Sequence, residues 1–400
     1  MSRNRSPVTR RQALAVGIGA TIGGVMLPRR WFESAPKHTT QIDPGSWPME
    51  RYDPARTGYA PGTDGPIQTP DISWQATVAD EDEYLSQLVC SKETVYAATE
   101  HTLTAVAVAT GKRRWQTEHF GTILDYDKPL VIRAGPSLGD GQLLLGSDQD
   151  LYAVDQTDGS AQWKYELRSN NKSILRVGRT VYAVSGVGND GSLTAIDIHS
   201  GLKRWETEPR QAIHPYAYAQ EHVVGEVIDH TQSIGAVDVS TGMRVWERAI
   251  GISNYYYQPS LCITNETIYC GAGPLYALNL TDGSTRWTYP LGTGETALNP
   301  VSDGSAVYLV SDDSVRALDA ESGELRWRVD LPGIESIPTL TDGTLYVALE
   351  DGLAALDSTT GNERFRVTVP DSGTVSTSPI VAGDAVYLAF DQTLYALTAQ

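Results

Sequence analysis

Three cysteines in 400 residues are too few for a disulfide framework, and none stand at the paired spacing of a metal site. The seven histidines, His38, His101, His119, His199, His214, His222 and His230, show neither H-E-x-x-H nor H-x-x-E-H spacing. A G-x-x-x-x-G-K-[ST] phosphate loop and a G-x-S-x-G nucleophile elbow are also missing, so no motif supplies a nucleophile together with its base. Apolar residues do not recur at a 3.6-residue period, which excludes an array of helical repeats. Beyond the N-terminus no apolar run is long enough to cross a bilayer as a helix.

Lysine is scarce too, at seven of the 31 basic residues. Residues 41–400 hold 24 basic groups against 48 acidic ones, a net of −24. That field repels phosphate backbones and argues against nucleic-acid binding. An acidic, lysine-poor surface resembles proteins of salt-loving archaea, whose hydrated carboxylates keep them soluble in brine; an ordinary acidic secreted protein is the alternative. The run Asp80-Glu81-Asp82-Glu83 reads as a solvated loop, with cation capture as the rival reading.

The first forty residues invert this balance, with seven Lys/Arg and one Glu. Arg10-Arg11 directly precede an apolar run of 15 residues, 13–27. This is the twin-arginine export pattern, and the run is short for a membrane span. No small-x-small cleavage site stands out before Arg29-Arg30, so the segment is either cleaved elsewhere or kept as a weak N-terminal anchor. The expected division is a signal and linker over residues 1–40 and one domain over 41–400, exported to the outer side of the cytoplasmic membrane. Asn171, Asn265 and Asn279 begin N-x-[ST] sequons, which such a protein could carry glycosylated. Cys262 and Cys270 flank an expected hairpin, ITNETIY; buried free thiols are the default there, with one cross-strand bridge left open.

What the chain has in abundance is a repeat. AVAVATGKRRW (105–115), AVDQTDGSAQW (153–163), AIDIHSGLKRW (195–205), AVDVSTGMRVW (236–246), ALNLTDGSTRW (277–287), ALDAESGELRW (317–327) and ALDSTTGNERF (355–365) align without a gap. The aromatic positions Trp115, Trp163, Trp205, Trp246, Trp287, Trp327 and Phe365 step by 48, 42, 41, 41, 40 and 38 residues. A period near forty signals a solenoid, propeller or array. Strand-forming runs such as TVYAV (180–184) and AVYLV (306–310) precede each segment, and the whole unit reads as a four-stranded meander. The glycine four residues before each aromatic suits a turn with positive φ. Asp155, Asp197, Asp238, Asp319 and Asp357 are placed to accept bonds from the turn amides, and the aromatics to dock between neighbouring sheets.

The chain ends on an alanine-leucine strand, residues 393–397, with no glycine turn or Trp strand after it, whereas PDISWQATV (70–78) is a Trp strand with nothing before it. Joined, they complete an eighth unit. The fold expected is therefore all-β: an eight-bladed β-propeller of four-stranded antiparallel blades, its ring closed by an N-terminal strand. Seven blades remain open if residues 116–150 are misread.

The A-L-D-x-x-[STD]-G-x-x-x-W segments resemble the tryptophan-docking repeats of the pyrroloquinoline-quinone (PQQ) repeat family of β-propellers over about residues 70–400, and WPMERYDPARTGYAPG (47–62) is similar to that family's lead-in. The resemblance implies one of two classes. Quinoprotein dehydrogenases would bring PQQ and Ca²⁺ to the ring centre, an Asp base and, in many, a pair of bonded adjacent cysteines. Non-enzymatic propellers, typified by outer-membrane assembly-factor lipoproteins, bind partner proteins and no quinone. This sequence has no Cys-Cys pair and no long insertions between blades, which favours the second class: a binding or assembly scaffold without cofactor, monomeric, with an envelope or extracellular protein as partner. A sensor for an extracellular ligand is a further alternative.

If a ligand binds, innermost strands should present it at the channel mouth. Residues just ahead of the prolines that open these strands give Arg133, His214, Tyr256, Gln258, Asn299, Glu335 and Ser376 as the candidate rim, against the competing reading of a solvated, inert mouth. Tyr255-Tyr256-Tyr257 with Tyr216 and Tyr218 form a second candidate, for protein contact, or else alternate between core and surface of a strand.

Overall fold

The computed structural model describes residues 42–81, 83–117, 132–147, 149–168, 173–186, 191–208, 212–227, 233–250, 260–271, 273–292, 298–370 and 373–399, with Leu298 and Asn299 described by backbone alone. Within a repeat, one alanine decides how the rings meet. In the first unit Ala105 lies between Tyr96 and Trp115 across three strands. Its small side chain lets the two rings approach to 5.8 Å between centroids. The row recurs as Tyr182, Ala195 and Trp205, as Tyr308, Ala317 and Trp327, and in Tyr387, Ala396 and Trp74. A residue larger than alanine would hold the rings apart, which is why the repeat begins with A.

Every regular element among the described residues is a strand, and they form eight sheets. Blades 1 to 7 span residues 87–116, 132–166, 174–206, 213–249, 260–289, 298–330 and 339–368, each a meander running from the innermost to the outermost strand. Blade 8 takes three strands from the C-terminus, residues 380–398, and its outermost strand from β2 (Asp71–Thr77), where Trp74 sits opposite Ala396. Innermost strands touch in sequence round the ring, and that of blade 1 lies against that of blade 8. The count is therefore eight, not seven. One strand was not foreseen: β1 (Tyr59–Ala60) adds to blade 7 in parallel with Leu340 and Thr341.

Between blades the large ring of one unit lies on the glycine of the next. A Cβ built on Gly111, Gly159, Gly201, Gly283, Gly323 or Gly361 would stand 2.6–2.9 Å from the tryptophan of the preceding blade. The same glycines have φ between 65° and 76°, so both space and backbone demand glycine. The indole N–H groups of Trp74, Trp115, Trp163, Trp246, Trp287 and Trp327 donate to a turn carbonyl of that next blade at 2.7–3.2 Å. Trp205 packs against Tyr218, Val237 and Val239 of blade 4. Blade 8 has no such covalent turn, because its last two strands come from opposite ends of the chain. The aromatic facing it is Phe365, which is buried among Tyr395, Leu397 and Val386 and has no N–H to satisfy.

The turn aspartates act as expected. Asp357 accepts from the amides of Thr359 and Thr360 at 3.0 and 2.9 Å, and Asp319 from those of Glu321 and Ser322 at 3.1 and 2.9 Å. Their second oxygen takes the arginine just ahead of the aromatic, Arg364 at 2.8 Å and Arg326 at 2.9 Å. Asn279 holds this position in blade 5, receiving Arg286 and donating to Ser284. That sequon is thus a working turn position. Asn265 is likewise tied, donating to the Gly304 carbonyl at 3.0 Å, while Asn171 lies outside the described residues.

The cysteine bridge is not formed. All three thiols are free and buried. Cys262 pairs with Tyr269 and Cys270 with Leu261, one place out of register, so the sulfurs point to opposite faces of the sheet. Burial raises both thiols, to about 12. In the acidic run, Asp82 lies outside the described residues and Glu83 accepts from Thr102 at 3.0 Å.

Gly361→Ala meets the Trp327 ring and a positive φ, whereas Gly62 has φ 69° and nothing within 4 Å of a built Cβ. Gly62→Ala should cost about 1 kcal/mol, from backbone conformation alone. Gly361→Ala should cost about 2–4 kcal/mol, as read by urea unfolding; equal losses would show that the ring contact is immaterial. Acid stability follows from the carboxyls. Burial works against ionisation of Asp197, but bonds from Arg204 and Ser200 outweigh it and hold this group at about 2. The Arg326 bond foremost holds Asp319 well below the usual carboxylate range. Depressed groups stabilise the fold above the unfolded value and lose that contribution as pH falls through the folded one. Stability should therefore decline between about pH 4 and about pH 2, less steeply in Asp319→Asn; an unchanged slope in that variant refutes the assignment.

Candidate functional site

The lead-in segment, residues 47–60, threads the ring at the mouth formed by the inner hairpin turns. Trp47 exchanges both backbone hydrogen bonds with Cys90 of blade 1, at 2.7 and 2.8 Å. The carbonyls of Pro48, Pro54, Ala55, Thr57 and Gly58 then accept from Leu138, Tyr218, Ile263, Ser302 and Leu340, at 2.7–3.0 Å. Those donors belong to the innermost strands of blades 2, 4, 5, 6 and 7. Blade 3 is reached by Arg56, which donates to the Ile174 carbonyl, and blade 8 by Trp47 packing with Ile380 and Ala382. To curl this tightly the thread takes positive φ at Arg51, Tyr52 and Arg56. Half-buried Asp53 pins the curl, accepting from the Thr57 amide at 3.0 Å and its hydroxyl at 2.8 Å. Burial raises the Asp53 pKa on balance, against the Thr57 bonds and the charges of Arg51 and Arg56.

Two adjoining cavities of about 300 Å³ each lie between thread and innermost strands, and Glu50, Arg51, Ser86 and Gln87 border both. The first is walled by Arg133 and Ser137 of blade 2, Ser173 and Arg176 at blade 3, and Tyr216 of blade 4. The second is walled by Glu335 and Thr339 at blade 7 and by Ser376 and Thr377 before blade 8.

Of the seven expected rim residues, the structure thus divides three between the cavities: Arg133 in the first, Glu335 and Ser376 in the second. Arg133 is paired with Glu100 at 3.1 Å, and the Ser376 hydroxyl donates to the Asp391 carbonyl at 2.9 Å. His214 is on the innermost strand of blade 4 opposite Glu226 but lines neither cavity. Asn299 lies within the strand Leu298–Ser302, and Tyr256 and Gln258 are outside the described residues, as are Tyr255 and Tyr257. Tyr218 is buried, stacked on Tyr182, while Tyr216 lines the first cavity and donates to Glu226 at 3.1 Å; the pair alternates between core and channel. Sequence reasoning missed Glu50, Arg51, Arg56 and Arg176. The first three sit in the lead-in, outside the repeat register, and Arg176 is hidden in the apolar strand Ile174–Val177.

The charged groups of the first cavity are arginines with Glu50 as the acidic exception. Among the described residues no three of His, Cys, Asp and Glu gather as a cation site, so these residues do not form the carboxylate set that a calcium-quinone centre would need.

Ring, thread and docked tryptophans together define an eight-bladed propeller of the PQQ-like repeat class. The family described as outer membrane protein assembly factor BamB matches residues 99–256 and 311–400, and the chain belongs to that family. It is 23% identical over 367 residues to BamB of Escherichia coli K12, covering 82% of this chain and 89% of that protein. It superposes on the crystal structure of BamB from Moraxella catarrhalis with a TM-score of 0.59 at 21% identity, covering 82% of this chain and 98% of that one. Quinohemoprotein alcohol dehydrogenase from Comamonas testosteroni gives a TM-score of 0.63 at 14% identity, covering 88% and 80%. Shape alone therefore does not separate scaffold from enzyme.

Beyond the β1 ladder, the thread makes seven backbone hydrogen bonds to the blades, each contributing about 1 kcal/mol net. A chain beginning at residue 67 keeps β2 but loses them, and its stability in urea should fall by about 5 kcal/mol or more. Undiminished stability would show that the thread closes nothing.

Proposed function

We propose that this chain is a non-catalytic propeller of the cell envelope that binds partner proteins and holds them for assembly, on the outer side of the cytoplasmic membrane. Membership of the BamB family carries this reading, and the relatives it resembles are named as outer membrane assembly factors. Export through the twin-arginine route rests on Arg10-Arg11 and the apolar run behind them. The acidic, lysine-poor composition suits a protein working in strong brine. Large apolar side chains stand exposed at matching positions of adjacent blades: Leu202 follows the turn glycine of blade 3, and Met243 follows that of blade 4, at 68% and 63% exposure. These two side chains are the proposed contact points for the partner.

Cross-linked capture from envelopes of the native cells is the test. The full chain should retain one envelope protein in constant ratio, and Leu202→Glu with Met243→Glu should lose it while melting normally. Titration with PQQ and Ca²⁺ should give no saturable heat. Saturable quinone binding with alcohol-dependent reduction, or capture that the double variant leaves untouched, would overturn the proposal.

A further inference from the structure

Four residues that line the first cavity each carry a buried polar atom without a partner. Arg176 is 8% exposed and donates through one terminal nitrogen to the Leu138 carbonyl, yet its Nε–H has no acceptor. The hydroxyl of Ser137, 4% exposed, is unpartnered, as are the Ser173 hydroxyl and the Arg51 Nε. All four residues line this one cavity. A buried donor left unmade costs about 1–3 kcal/mol, so a cluster of four marks a place where something else supplies the acceptors.

The donors define its chemistry. A guanidinium has no acceptor to offer, and two hydroxyls can turn to donate. Of the cavity's arginines, Arg56 is paired with Glu50 at 2.9 Å and Arg133 with Glu100 at 3.1 Å. Arg51 and Arg176 bond to main-chain carbonyls and the Ser260 hydroxyl, and to no carboxylate among the described residues. Two guanidiniums with no bonded carboxylate among the described residues thus line a small cavity in a domain that is otherwise strongly acidic. Space has been made for one of them: a Cβ on Gly139 would stand 1.8 Å from the Arg176 Cζ, so only glycine there lets this guanidinium lie across the strand. Burial lowers the pKa of both arginines, against the nearby charges of Glu50 and Asp53 for Arg51 and of Asp140 for Arg176, so their charge is only partly compensated.

We propose that the first cavity is a binding site for a small oxyanion, a carboxylate or a phosphate, gripped between Arg51 and Arg176 and hydrogen-bonded by Ser137 and Ser173. Guanidinium and hydroxyl donors in a partly desolvated cavity fit such groups. At about 300 Å³ the cavity admits a metabolite-sized anion, not a polymer. The site lies inside the ring, away from Leu202 and Met243, so it stands whether or not the assembly role holds.

Calorimetry on the full chain at constant ionic strength, with citrate, inorganic phosphate, PQQ and chloride as separate probes, tests it. Citrate or phosphate should bind saturably, and which of the two does so assigns the anion's class. Arg176→Gln should weaken that binding at least tenfold, and Ser137→Ala, which removes a hydroxyl without enlarging the residue, about threefold, both in proteins that melt like the wild type. Should Arg176→Gln fail to fold, Ser137→Ala and Arg51→Gln carry the test. Heat no greater than chloride gives, binding unaltered in these variants, or binding of PQQ alone would each overturn the proposal.

Discussion

The structure depends on a tryptophan lying flat on a bare glycine of the next blade. Each contact joins two sheets that share no backbone hydrogen-bond ladder, and it does so with a ring face, an indole N–H and a turn that only glycine can make. The period near forty is the length needed to return the chain to the same station one blade further on. Alanine inside the row and arginine beside the tryptophan serve this contact too, one by clearing space for the rings, the other by bonding the turn aspartate. Repetition therefore reflects one packing problem solved in the same way at six of the eight blade junctions.

A ring of repeated junctions still has to be closed where the chain ends. Two devices do so, and both come from residues 47–77. Strand β2 completes blade 8 and sends Trp74 onto Gly111 of blade 1, restoring across the break the contact made elsewhere within the continuous chain. The thread ahead of it binds innermost strands round the circle. The first seals the outside of the ring and the second its centre. Phe365 marks the remaining irregularity: where the partner turn is not covalently built, the aromatic that needs no hydrogen-bond acceptor takes the position.

Architecture was legible because spacing encodes it. Seven aligned segments fixed period and turn, and two incomplete ends pointed to the closing strand and to eight blades, with seven left open until the sheets were counted. The centre was not legible in the same way. Rim residues were chosen by distance from a proline, a rule that finds strand entries but not the direction of side chains, so Arg133, Glu335 and Ser376 border cavities while His214 does not. Glu50, Arg51 and Arg56 belong to no repeat, and their partners lie more than a hundred residues away in several cases. Arg176 sits between Leu175 and Val177 in a strand that reads as plain core. The arginines ahead of the tryptophans were legible and were passed over, because the aromatic itself drew the alignment.

These two levels of organisation separate fold from function. Repeat positions are committed to docking and turn formation, and even a sequon asparagine, Asn279, proves to be a turn residue. What distinguishes one propeller of this class from another must lie in residues the repeat leaves free: the thread, the entries of the innermost strands and the outer rim. In this chain the thread is not only a closure. Arg51 holds carbonyls of Leu261 and Pro300, at blades 5 and 6, and also borders both cavities. An occupant that engages Arg51 would bind only when thread and blades are assembled, and by mass action it would stabilise the closed ring. Closure and ligand capture are thereby one equilibrium, set by the same guanidinium.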